Sequence, residues 1–222
     1  MHCETISKNI ADLKEQLGNH CKLIVVSKYR GLEEIQCAYD AEHRIFAENR
    51  VQALIERKEA LPDDIEWHLI GHLQKNKVKY IAPFIAMIHS VDSAALLEEI
   101  NKQAKKNQRV IPCLLQLHIA QEETKFGLSI DELNALITKD LTQLYPNVII
   151  NGLMAMASNT TNTQQIKDEF NQVQHIFKNI KDNMTANLPY FNELSIGMSS
   201  DYLIAKNTGS TMVRIGSKIF EG

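Results

Sequence analysis

The stretch VIPCLLQLHI, residues 110–119, decides the fold. It is apolar on both of the faces a strand would present. A strand with one wetted face alternates apolar and polar residues, whereas one apolar on both faces is a parallel strand covered by helices. LIVVSK at 23–28 and GLMAMA at 152–157 have the same character. Working outward, short apolar runs predict strands at 22–28, 44–48, 66–70, 87–91, 110–118, 148–156, 193–198 and 212–216. Helical periodicity fills the intervals, most clearly at 93–106, 130–144 and 162–184, where Ile166, Phe170, Val173, Phe177 and Ile180 form one stripe. Ile6, Ile10, Leu13 and Leu17 repeat at helical spacing before the first strand.

About eight strands alternating with helices predict an α/β chain closed as a single (β/α)8 TIM-type barrel with an additional N-terminal helix, rather than an open doubly wound sheet. Only six residues follow the eighth strand, too few for an eighth helix, and the N-terminal helix is expected to fill that place. One domain over 1–222 is the resulting expectation, with nothing left for a second.

Composition excludes several function classes. With 44% hydrophobic and 23% charged residues the chain has neither the apolar deficit of disorder nor the excess of a membrane protein. No apolar run approaches the ~20 residues of a spanning helix. The start, MHCETISKNI, lacks the basic and apolar regions of a secretion signal, so a cytoplasmic location is expected. Twenty-four Lys and Arg against 27 Asp and Glu give a net charge of -3, without the basic footprint of a nucleic-acid binder. KNKVKY (75–80) and KQAKKNQR (102–109) read as solvated helix ends. Cys3, Cys21, Cys37 and Cys113 form no CxxC and are expected to be reduced thiols.

In such a barrel the active site gathers at the C-terminal ends of the strands, with phosphate commonly held after strands seven and eight. Lys28 ends strand one, sharing a face with Ile24 and Val26, and Arg214 shares one with Met212 on strand eight. If that face is the interior, the two are neighbours at the mouth. IGMSSD (196–201) and VRIGSK (213–218) each place glycine beside hydroxyls, which suits an anion approached by backbone N–H groups. A nucleophilic lysine needs burial or a nearby cation, because at its ordinary pKa only about one part in a few thousand is neutral at pH 7. Lys28 would have both; the competing reading is a lysine snorkelling to solvent.

Other candidates have bland alternatives. His68 and His72 in HLIGH are four apart, but Gly71 favours a strand end over a metal-binding helix. Met154 and Met156 are barrel filling or line a flat ligand. Asn49 in FAEN points into the mouth or caps the next helix.

The ordered motifs VVSK (25), FAEN (46), WHLIGHLQKNK (67), EETKFGL (122), GLMAMA (152), LSIGMSSD (194) and GSTMVRIGSKIF (209) resemble the pyridoxal phosphate homeostasis proteins (YggS/PROSC type), relatives of the barrel domain of alanine racemase. The resemblance implies that Lys28 forms a Schiff base with pyridoxal 5'-phosphate and that Arg214 faces the pyridine nitrogen. It also implies that Ser199 and the Gly216–Ser217 backbone hold the phosphate, with Asn49 and Met154 beside the ring. The second position of FAEN is usually Gly in that family; here it is Ala47, which makes the Asn49 contact less secure.

The implied function is cofactor homeostasis: a monomer that holds pyridoxal phosphate without robust catalysis and passes it to pyridoxal phosphate-dependent apoenzymes. Arg214 can donate to a ring nitrogen but cannot take its proton, which weakens the ring as an electron sink. The alternative is a racemase-like enzyme. That chemistry needs a second acid/base group on the opposite side of the substrate carbon, for which Tyr29 and Tyr202 are the candidates.

Overall fold

A computed structural model describes residues 2–119, 126–184 and 187–221. Its first half runs α1 (His2–Leu17), β1 (Lys22–Val26), α2 (Leu32–Asp40), β2 (Ile45–Glu48), α3 (Val51–Ala60), β3 (Glu66–Leu69), a single turn α4 (Val78–Ile81), β4 (Met87–Val91) and α5 (Ala94–Lys106). There follow β5 (Ile111–Leu117), α6 (Ile130–Ile137), the turn α7 (Leu141–Leu144), β6 (Val148–Ala155) and α8 (Thr163–Asn183). The chain continues with β7 (Glu193–Met198), α9 (Tyr202–Thr208), β8 (Met212–Ile215) and a last turn α10 (Ser217–Phe220). The eight strands are parallel, pair in chain order and close through β1 and β8, with Ile24 opposite Arg214.

Two apolar layers follow from the strand alternation. Ile24, Val26, Ala47, Met87, Leu114, Met154 and Met212 pack together inside the barrel. Val25, Phe46, Trp67, Ile88, Leu115, Leu153 and Val213 belong instead to the larger core shared with the helices. Burial on both faces is why β5 carries no wetted alternation.

The apolar stripe of α1, Ile6, Ile10, Leu13 and Leu17, is buried as its spacing predicts. The helix packs beside α2, β1 and α10, and Asn9 Nδ2 donates to the Ile219 carbonyl at 3.0 Å. It thus packs against the turn α10 that follows β8.

Two expectations are corrected. The helix read over 130–144 is two pieces, because Asp140 turns its carboxylate onto the backbone N–H groups of Thr142 and Gln143 and starts a new turn. A side chain that satisfies orphan donors in this way caps a helix rather than continuing one. The cysteines are not all thiols: Cys3 on α1 and Cys37 on α2 are joined as a disulfide across 34 residues, with Cα atoms 5.0 Å apart, while Cys21 and Cys113 are free and buried. Sequence separation concealed a pair that helix packing brings together. Among the described residues, no helix is long and apolar enough to cross a membrane.

Candidate functional site

At the C-terminal ends of the strands a cavity of about 680 Å³ opens. Lys28, Asn49, Ser199, Arg214, Gly216 and Ser217 all line it, so residues spread over 190 positions meet in one place.

β1 ends at Val26, earlier than the apolar run suggests. Ser27 is still buried, and its N–H makes the last bond to the β2 carbonyl of Ala47 at 3.0 Å. The chain then turns, with Arg30 N donating to Ser27 O, and Tyr29 adopts the left-handed conformation at φ 66. Lys28 therefore stands exposed in the mouth. The burial expected for its amine is not found, because the turn lifts it clear of the apolar interior.

A buried network that sequence reasoning missed holds this turn. Ser27 Oγ donates to Glu48 Oε1 at 2.5 Å, and Arg57 from α3 pairs with the same carboxylate. Arg57 also donates from Nη1 to Ser27 Oγ at 3.3 Å and from Nη2 to the Arg30 carbonyl at 3.0 Å. Backbone strain of the kind seen at Tyr29 costs about 1–3 kcal/mol and persists where surrounding bonds over-determine it. No spacing signal connects Glu48 to Arg57.

The opposite wall comes from β7 and β8. Asp201 Oδ1 accepts from Met198 N at 2.6 Å and shapes the turn carrying Ser199 and Ser200; burial raises the Asp201 pKa. Ser199 Oγ accepts from Gly216 N at 3.3 Å and ties the two loops. Gly216 lies so close to β1 that an added Cβ would come within 2.9 Å of the Val26 carbonyl, so the backbone itself forms the wall. Gly71 is tighter still, its notional Cβ 2.1 Å from the Asn49 carbonyl.

Arg214 forms part of the floor. It is 4% exposed, and its Nη1 donates to Ser195 O at 2.7 Å and Ser195 Oγ at 2.6 Å, while Nη2 donates to Ala155 O at 3.0 Å. Burial lowers its pKa to about 10, opposed by the Asp201 charge, and the guanidinium stays cationic at neutral pH.

The remaining candidates separate. Asn49 lines the cavity, and the cap position of α3 falls to Arg50, which makes no side-chain cap bond. Ala47 is fully buried inside the barrel beneath it. Met154 is fully buried in the inner layer under the floor; Met156, two residues on, is the methionine that reaches the cavity. His68 lies inside the barrel, whereas His72 lies at the rim, 3.0 Å from Asp92 Oδ2 and stacked on Phe126 at 3.7 Å. Tyr29 lines the cavity but is 74% exposed. Tyr202 is buried and donates to Gln16 Oε1 of α1, away from the mouth. Of the motif EETKFGL, residues 122–125 lie outside the described residues.

The donor set suits a small flat molecule with an electrophilic carbon, a ring acceptor and an anionic group. An amine, a fixed guanidinium and a hydroxyl-lined backbone wall answer those three needs from three sides.

The family model described as alanine racemase, N-terminal domain, matches residues 1–222. A pyridoxal phosphate homeostasis protein of Aquifex aeolicus is 35% identical over 98% of this chain and 96% of its own. The structure of PipY from Synechococcus elongatus without PLP superposes with a TM-score of 0.91 at 35% identity, covering 97% of this chain and 99% of that one. PipY with PLP bound gives 0.88 at 34% over the same shares. The chain belongs to the pyridoxal phosphate homeostasis protein family, built on the barrel of the alanine racemase N-terminal domain.

Proposed function

We propose that this protein binds pyridoxal 5'-phosphate reversibly and serves intracellular cofactor homeostasis, holding the cofactor and passing it to apoenzymes without robust turnover. The observation that carries the reading is the convergence of Lys28, Arg214 and the Ser199, Gly216 and Ser217 wall on one cavity. That a family member is solved with PLP bound supports it.

When bound, the cofactor supplies a reactive aldehyde and an electron-withdrawing ring. Lys28 offers the amine that would hold the aldehyde carbon as a Schiff base, and its exposure leaves the amine open to an incoming ligand and to release. Ser199, Ser217 and the Gly216 backbone, which line one wall of the cavity, would hold the phosphate. Arg214 would donate to the ring nitrogen and, having no lone pair to accept with, would keep that nitrogen unprotonated. Asn49 and Met156, which line the cavity, would lie beside the ring, with Met154 supporting the floor from below.

A racemase reading requires a second proton carrier facing Lys28 across a substrate carbon. The Tyr202 hydroxyl is engaged with Gln16, and Tyr29 stands at the exposed rim on the same turn as Lys28. Neither placement favours turnover. The test is a titration with pyridoxal phosphate followed by borohydride reduction. A visible absorbance band, and a reduced adduct lost in Lys28→Ala, are expected; an adduct that survives in Lys28→Ala refutes the assignment. Absence of α-proton exchange into deuterated water across a panel of amino acids separates binding from racemisation.

A further inference from the structure

Beneath Arg214 a line of polar side chains runs through the otherwise apolar barrel. Ser195 on β7, His89 on β4 and His68 on β3 are all buried. Arg214 Nη1 is 2.6 Å from Ser195 Oγ, His89 Nδ1 is 3.1 Å from the same oxygen, and His89 Nε2 is 2.9 Å from His68 Nδ1. An ordinary barrel interior fills such positions with branched apolar residues.

We propose that Ser195, His89 and His68 are positioning residues that fix the Arg214 guanidinium through a hydrogen-bond chain of single polarity, in which both histidines carry their proton on Nε2. The inference rests on the reading of Arg214 as the ring-nitrogen contact.

The polarity follows from donor and acceptor inventories. Arg214 only donates, so Ser195 Oγ accepts from it. The serine hydroxyl proton then needs an acceptor, and among the described residues the other partner of Ser195 Oγ is His89 Nδ1. His89 must accept there, which puts its proton on Nε2, pointing at His68 Nδ1. That nitrogen must be bare, so His68 is protonated on Nε2 as well. Reversed polarity would leave the buried Ser195 hydroxyl proton without an acceptor, a costly state in a dry interior. Both rings stay neutral: burial pulls the His68 pKa to about 3, and burial together with the nearby Arg214 charge holds His89 well below 6.5. A fixed neutral acceptor at the far end of Ser195 keeps the hydroxyl oxygen turned to Arg214. The guanidinium is thereby held before any ligand arrives.

The experiment is nitrogen NMR of the full chain labelled with 15N-histidine, without pyridoxal phosphate. The signals of His68 and His89, assigned by their loss in single histidine substitutions, are expected to show a bare Nδ1 and a protonated Nε2, unchanged from pH 8 to 5.5; a proton on Nδ1 of either would overturn the proposal. His89→Gln preserves both ends of the chain, its carbonyl accepting from Ser195 and its amide donating to His68; His89→Leu breaks it. Titrated by absorbance, His89→Leu should bind pyridoxal phosphate about tenfold more weakly, the upper scale of one neutral hydrogen bond, and His89→Gln close to wild type. Equal affinity of His89→Leu and wild type, or equal losses in both variants, refutes the positioning role. Should His89→Leu fail to fold, Ser195→Ala is expected to show the same loss. If wild type binds no pyridoxal phosphate while the tautomers come out as stated, the cofactor reading fails and the chain polarity stands.

Discussion

Replacing Arg57 by Met tests whether the buried network beneath the Lys28 turn determines that turn. Arg57 and Glu48 pair with side chains 10% and 1% exposed, and Arg57 gives two further bonds, to Ser27 Oγ and the Arg30 carbonyl. Methionine keeps much of the volume but, among the described residues, leaves the Glu48 carboxylate with the Ser27 hydroxyl as its remaining side-chain partner. Removing one partner of a buried ion pair costs about 3–5 kcal/mol, because the other charge stays desolvated and uncompensated. For a chain of this size each kcal/mol moves the melting temperature by about 2–4 °C, so a fall of about 6–20 °C is expected. Scanning calorimetry at pH 7.5 reads it directly. The deficit should shrink at pH 5.5, where the orphaned carboxyl takes up a proton and its burial cost falls. The double variant Glu48→Gln with Arg57→Met should recover most of the loss, since no buried charge remains. A single variant within about 1 kcal/mol of wild type, or a double variant no better than the single, refutes the account.

Two further outcomes are expected. Gly71→Ala should weaken pyridoxal phosphate binding and cost about 1–3 kcal/mol by overpacking, because its Cβ would lie 2.1 Å from the Asn49 carbonyl; unchanged affinity and melting temperature would show that this wall yields freely. Acid should destabilise the fold through histidines buried neutral: burial lowers the His43 pKa to about 4 and the His68 pKa to about 3. Their contribution is complete above the ordinary histidine value near 6.5 and is lost as pH falls, because the unfolded chain then binds protons the folded one refuses. At pH 4.5 the loss is about 2–3 kcal/mol for each. Urea unfolding at pH 7.5, 5.5 and 4.5 reads this slope, and His43→Gln should flatten it; a slope unaffected by that variant would assign the acid sensitivity to carboxylates.

Much of the barrel was legible because burial on both faces leaves a direct mark on composition. The two-faced apolar runs mark β1, β5 and β6, and the helical stripes of α1 and α8 place their buried sides. The site was partly legible for the same geometric reason: residues at strand ends converge once the barrel closes. What failed did so locally or at long range. Asp140 broke a helix through its own side chain, the early end of β1 exposed Lys28, and Met156 rather than Met154 reached the cavity because one strand step separates wall from floor.

By itself, then, the sequence determined the alternating strands and helices, the barrel they close and the amine, guanidinium and hydroxyl types that meet at its mouth. Periodicity and strand order express these directly. Only the tertiary structure decided the Glu48–Arg57–Ser27 brace, the Ser195–His89–His68 line beneath Arg214 and the Cys3–Cys37 pairing. Each depends on side chains from different elements meeting in a buried space. Their energies come from desolvation and hydrogen-bond completion at that meeting, which no spacing along the chain records.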